Sequence, residues 1–279
     1  MNLKKTIILS SLLLTSGSIF AHGTTDICPD EASKTAIHSA LGSLLSTAQA
    51  DENGGFGFHM WATVVNRAGE VCAIAYSGHN SGDQWPGSRV ISAQKANTAN
   101  AFSLPGFALS SANLHEATQD GGSLFGLQAS NPVDTSVAYA GSFDDYGTTN
   151  DAMLGKKIGG VNVFGGGLAL YNSTGELVGA LGVSGDSSCA DHNIAWRVRH
   201  AANLDYVPSG PSPDGNDAII YSGETGETGL PGWEHPDCGH SEKAVAATLP
   251  ATQKIAADEN DCVLPETWNE AMQHCMVQQ

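Results

Sequence analysis

Few stretches of this chain gather reactive side chains. The tightest is Cys189-Ala-Asp191-His192, which places a thiol, a carboxylate and an imidazole side by side. A Cys–His pair can attack a carbonyl once the imidazole takes the thiol proton, and His192 is in its own right a candidate metal ligand. The competing reading makes Cys189 one half of a disulfide, and in an exported chain that reading is the stronger one. A histidine at a helix start, beside a capping aspartate, is equally a surface group. His235 and His240 flank Cys238, a loose pattern for a mononuclear metal site. His38 sits at the edge of the apolar stripe of an amphipathic helix, either capping the core boundary or presented as a ligand. Lys95 either neutralises a ligand carboxylate or runs its stem out to solvent. Lys156 and Lys157 form an isolated basic pair in an acidic chain. GxSxG, HExxH, P-loop, full GxGxxG and CxxC patterns are all absent, and the ten histidines show no tight metal spacing.

The elements that must position these groups centre on residues 158–203. Gly159, Gly160 and Gly165, Gly166 and Gly167 lead into an apolar run at 168–171. Asn172-Ser-Thr-Gly175 is a turn, since Asn and Gly both tolerate left-handed backbone. A second run, 177–183, completes a hairpin. Gly179 and Gly182 inside that run mark a bulge or the close approach of something else, either a ligand or a helix packed tightly on the sheet. A helix follows, with Asp191 as its candidate N-cap and Ile194, Val198 and Ala201 as its apolar stripe. Trp196 and Arg197 fall off that stripe.

Upstream, Cys28-Pro29 opens a helix with Ile37, Leu41, Leu44, Leu45 and Ala48 facing inward. Strands at 60–66 and 71–76 flank an Arg67-Ala-Gly-Glu70 turn. Cys72 lies in the second of these and reads as a possible buried free thiol. Ser88 is the candidate N-cap of a helix that runs to about Phe102. Residues 131–153 read as an insertion or lid with little regular structure. Beyond Asn203 the chain turns Gly- and Pro-rich, with a short strand candidate at 218–221, a partly helical stretch at 241–257 and a last helix at 266–277. This tail reads as a disulfide-tied appendage wrapped over the core.

Composition narrows the function. The chain has 279 residues, 41% of them hydrophobic, enough for a real core. Residues 1–21 read as a signal peptide: Lys4 and Lys5, an apolar run at 7–14, then Ile19-Phe20-Ala21. No later run is long enough to span a membrane. The six cysteines, Cys28, Cys72, Cys189, Cys238, Cys262 and Cys275, all follow that leader, which favours disulfides and a periplasmic or secreted address. With 29 acidic against 12 basic residues, the net charge of −17 argues against nucleic-acid partners.

Taken in order, an N-terminal helix, VVNRAGEV, SAQKANTANAF, VNVFGGGLAL, NSTGELVGALGVSG and DHNIAWRVRHA resemble the GlcG/HbpS family of haem-binding or haem-degrading domains, over roughly residues 30–203. The resemblance implies an α/β (α+β) fold, a central antiparallel sheet flanked by helices with a profilin-like or PAS-like look, and a homo-oligomer. It also implies haem or another small organic ligand. Haem asks only for one or two axial ligands and an apolar slot, so motif reading barely sees it. On this basis His38 is the axial candidate, Lys95 or Lys156 meets propionates, and Gly165, Gly166 and Gly167 admit the ring edge. Lys95 falls in the family's helix segment and Asp191 matches its acidic residue after the VSG turn. Cys189 and the residues after 203 depart from the pattern, and Cys189 is paired with Cys238. A tail pinned there either covers a pocket or blocks an oligomer interface. The functional expectation is an exported haem-binding protein, with a haem-degrading or redox enzyme and a ligand-free envelope assembly protein as alternatives.

Overall fold

The computed structural model describes residues 26–223 and 232–255, together with the backbone of two short strands near the C-terminus. The segment expected to be a signal peptide, Cys262 and the side chain of Cys275 lie outside the described residues. Two hairpins build the sheet. The first joins β1 (Trp61–Asn66) to β2 (Val71–Tyr76), and the second joins β3 (Gly167–Tyr171) to β4 (Leu177–Ser184). Both turns use one device. Asn66 Oδ1 accepts the N–H groups of Ala68 and Glu70, and Asn172 Oδ1 accepts those of Thr174 and Glu176. Gly69 and Gly175 supply the left-handed residue that each turn requires, at φ 77° and 76°. β1 and β4 then pair antiparallel, giving the order β2-β1-β4-β3.

Helices cover both faces, so β1 and β4 are buried throughout. On one face α1 (Glu31–Ala50) and α5 (Ser188–Ala201) place Leu41, Leu45, Ile194 and Val198 against Ala62, Val64, Leu168 and Leu181. On the other, α2 (Ser88–Phe102) packs Val90, Ala93, Ala96 and Ala99 onto Trp61, Val65, Ile74 and Ala180. Between α2 and β3 the chain forms α3 (Leu127–Ser130), α4 (Thr135–Ala138) and several 3₁₀ turns. That segment is not a loose lid. Asp151 within it accepts Arg89 Nε at 2.8 Å, and both side chains are buried. The later chain contributes α6 (Glu242–Ala246) and the backbone hairpin of β5 (Glu266–Asn269) and β6 (His274–Val277).

Several expectations are corrected. α1 starts at Glu31, capped by the Asp30 carboxylate on Ser33 N at 2.8 Å, so Pro29 precedes the helix instead of opening it. Ser187 caps α5; Asp191 lies inside its first turn and is buried. Trp196 is buried as well, because α5 is covered on its outer side too. Where a last helix was expected, Glu266–Asn269 and His274–Val277 pair as antiparallel strands, with Trp268 opposite Cys275. Residues 218–221 contribute only a bridge, between Tyr221 and His235. Cys72 is not a free thiol but is bonded to Cys28, and Cys189 is bonded to Cys238. No helix among the described residues is long and apolar enough to cross a membrane.

The glycines in β4 answer to packing. A Cβ on Gly182 would collide with the Ser92 carbonyl oxygen and stand 2.5 Å from Ala96 N, both on α2. Its cross-strand partner Gly167 meets the Lys95 carbonyl in the same way. Gly182→Ala is therefore expected to cost about 1–3 kcal/mol or more through forced separation of α2 from the sheet, read as a lowered denaturation midpoint in chemical unfolding. An unchanged midpoint would show that α2 can yield without cost.

Candidate functional site

α5 has two working faces. Its inner side chains join the sheet core, while His192, Asn193 and Trp196 lie under the chain that follows Asn203. That chain is anchored to the helix along its length. Arg199 makes two bonds to Asp217, at 2.7 and 2.8 Å, and donates to Ala169 O at 3.0 Å. Trp196 Nε1 donates to Pro250 O at 2.8 Å, and Asn193 Nδ2 donates to Glu242 O at 3.2 Å. The Cys189–Cys238 bond closes one end. Between helix and extension lies a cavity of about 1000 Å³, walled by His192, Trp196, Val207, Tyr221, Leu249 and Ile255, with Lys243 and Lys254 among its polar members. That size falls at the upper end for small-molecule sites.

His192 is the anomaly in this wall. It is 1% exposed, and neither ring nitrogen has a hydrogen-bond partner among the described residues. Burial, with added repulsion from Arg199, His235 and Lys95, pushes its pKa down to about 3. The imidazole is therefore neutral at ordinary pH and keeps a free lone pair, the state a metal ion requires. A buried polar group left unsatisfied carries a real cost, which a ligand would relieve.

A second imidazole lies nearby. His235 is buried, with Nδ1 2.8 Å from Pro236 O and Nε2 3.4 Å from Gly165 N. Those partners assign the ring proton to Nδ1, and burial pushes the pKa down to about 4. The His115 and His235 ring centroids are 5.2 Å apart, and Phe164 lies 5.7 Å from the former. His115 is also shifted down by burial.

Of the residues singled out from sequence, Lys95 and Gly165, Gly166 and Gly167 come together. Lys95 is neither free for a ligand nor extended to solvent. Its Nζ is buried, 2.7 Å from Asp191 Oδ2 and 3.3 Å from Val183 O. Burial raises Asp191 to about 6, against the pull of Lys95. The space above the three glycines is filled by α2 and α5: a Cβ at Gly165 would meet Ser188 and His192, and one at Gly166 would meet Val183 O, Asp191 and Lys95. His38 and Lys156 lie elsewhere. His38 Nε2 is 3.0 Å from Gly147 O, and the exposed Lys156 follows a turn beside β2, where its carbonyl accepts from Val71 N. The sequence marks His235 only as flanking Cys238 together with His240, and Trp196 only as lying off the helix stripe; nothing in the spacing of His115 and Tyr221 marks them, and only the folded extension brings His235 and Tyr221 over α5.

The buried imidazoles set a pH dependence. An unfolded histidine titrates near 6.5, so between that value and about 3 for His192, or about 4 for His235, the unfolded chain binds more protons at these positions. Stability falls as pH drops through this range. Asp191 opposes part of the fall, since its carboxyl takes up a proton in the folded chain near pH 6, before an unfolded aspartate does. The His192 contribution is about 1.4 kcal/mol per pH unit below about pH 6. The gap in Tm between wild type and His192→Gln is expected to move against the wild type from pH 7 to pH 5; a gap that ignores pH would contradict the burial of a neutral imidazole.

The family model described as haem degrading protein HbpS-like matches residues 38–199. Two solved structures are similar to this chain. A PduOC:heme complex has a TM-score of 0.41 and 20% identity, covering 64% of this chain and 97% of that one. Protein ORFY of Klebsiella pneumoniae has a TM-score of 0.40 and 21% identity, covering 66% of this chain and 96% of that one. No curated protein matches the chain. The family match runs from α1 to the last turn of α5 and takes in more than half of the sequence, so this protein belongs to the family whose model is described as haem degrading protein HbpS-like.

Proposed function

We propose that this protein binds haem, or a closely related planar iron tetrapyrrole, in the cavity under its C-terminal extension, with His192 as the iron ligand. The observation that carries the reading is a fully buried, neutral imidazole without a hydrogen-bond partner in the wall of a ligand-sized cavity. The surroundings fit the group. Trp196, Tyr221, Val207, Leu249 and Ile255 offer aromatic and aliphatic contact for a macrocycle. The exposed Lys254 stands in the same wall, where a carboxylate side group would meet positive charge, and Lys243 beside it is paired with Asp237 at 2.9 Å. When bound, haem would supply a redox-active iron; the chain would supply the imidazole, the aromatic and aliphatic wall contacts and the cations.

The two disulfides among the described residues support an oxidising address, periplasmic or secreted. The antiparallel sheet with helices on both faces supports reading the core as a profilin-like or PAS-like ligand module. The family description also supports a second reading, in which the bound haem is consumed. Steady turnover with a reductant, in place of one stoichiometric bleaching, would select it.

Titrating the purified full chain with haem is expected to give a Soret band at one haem per chain. His192→Ala is expected to weaken binding at least tenfold, about 1.4 kcal/mol, while His38→Ala leaves it intact. A band that survives in His192→Ala and vanishes in His38→Ala would move the ligand to α1. No band in the wild type would end the haem reading.

A further inference from the structure

A second site stands apart from the cavity chemistry. Sγ of Cys189, Sγ of Cys238 and a carboxylate oxygen of Glu242 all lie within 4.8 Å of one another. We infer that reduction of the Cys189–Cys238 bond converts this cluster into a binding site for a soft divalent cation of the Zn²⁺ type, with the two sulfurs and Glu242 as protein ligands.

Three features hold the cluster in place without the S–S bond. Glu242 is 1% exposed, and its carboxylate accepts the backbone N–H groups of Cys238 at 2.7 Å, Gly239 at 3.0 Å and His240 at 2.8 Å. These bonds fix the loop that carries Cys238. They leave part of the acceptor capacity of an ionised carboxylate, about four sites, for a cation. On the other side, Cys238 Sγ stands 3.2 Å from the Cys189 N–H and 3.5 Å from Ser188 Oγ, in the first turn of α5. Donors of this kind favour a thiolate. The Cα atoms of the two cysteines are 6.1 Å apart, so side-chain rotation alone can open the sulfurs around an ion.

The other bridge lacks these features. Cys28 and Cys72 lie in the apolar cluster under α1, and no comparable set of ligating groups surrounds them among the described residues. The chemistry balances with a small dithiol as reductant. The dithiol gives up two electrons and two protons and closes to its own disulfide, while Cys189 and Cys238 become thiols. Binding of Zn²⁺ then releases both thiol protons. Two sulfurs and one oxygen leave a coordination position open to water, as in three-ligand zinc sites.

The test uses the full chain, treated with a dithiol, freed of excess reagent under anaerobic conditions and titrated with Zn²⁺ and, as a spectroscopic probe, Cd²⁺. Native mass spectrometry is expected to show one Zn²⁺ per reduced chain and none on the oxidised chain, with a thiolate-to-Cd²⁺ charge-transfer band appearing in parallel. Glu242→Gln is expected to weaken binding at least tenfold, and Cys28→Ser/Cys72→Ser to leave it unchanged. Zn²⁺ retained by Cys189→Ser/Cys238→Ser would place the ion on other thiols and overturn the assignment, as would a reduced wild-type chain that takes up none. If the cysteine variants fail to fold, the comparison of wild type with Glu242→Gln decides: equal affinities reject the site. None of these readouts involves haem, so failure here is distinct from failure of the cavity.

Discussion

The buried ion pair between Lys95 and Asp191 ties the two faces of the sheet together. Lys95 belongs to α2 and Asp191 to α5, helices that lie on opposite sides, and the two side chains meet past the starting end of β3. Neither charge is solvated, so removing one partner would strand the other at a cost of about 3–5 kcal/mol. Asp191 does more than neutralise the lysine. Its second oxygen accepts Asp186 N at 2.9 Å and so shapes the turn from β4 into α5. Asp186 in turn accepts the N–H groups of Phe56 and Phe58, which fixes the approach to β1. Gly165, Gly166 and Gly167 are small because this arrangement leaves no room above them.

With α5 fixed in this way, its outer face becomes a floor. The extension lies on it through an ion pair, a tryptophan hydrogen bond and a disulfide. A fold that satisfies Asn66, Asn172, Asp186 and Glu242 with several bonds each leaves the buried His192 imidazole without any among the described residues. Such local disagreement with the rest of a structure is where function is expected.

The sheet was legible from sequence because both hairpins carry strong local signals: Asn-x-x-Gly turns between runs of β-formers. The close approach at Gly182 was legible as an approach, though its identity as the α2 backbone was not. Lys95 and Asp191 each attracted attention for other reasons, but nothing local joins residues 96 positions apart. The α5 cap was misplaced because Asp191 and Ser187 are both good capping residues, and burial decided between them. Cys72 looked like an ordinary core residue of a strand, and its partner lies 44 residues away. The tail misled because Trp268 and Cys275 fit a helix stripe as well as a strand pair. The cavity was the least legible feature, since its walls come from α5, residues 207–221 and residues 243–255.

The Arg199–Asp217 contact bears on how this family's architecture can be cut. Arg199 is fully buried at the last turn of the region shared with relatives, and the carboxylate that balances it belongs to the chain beyond. A version trimmed to the shared region would keep an uncompensated guanidinium in its interior. Through this one pair the interior of the shared region depends on the residues that follow it.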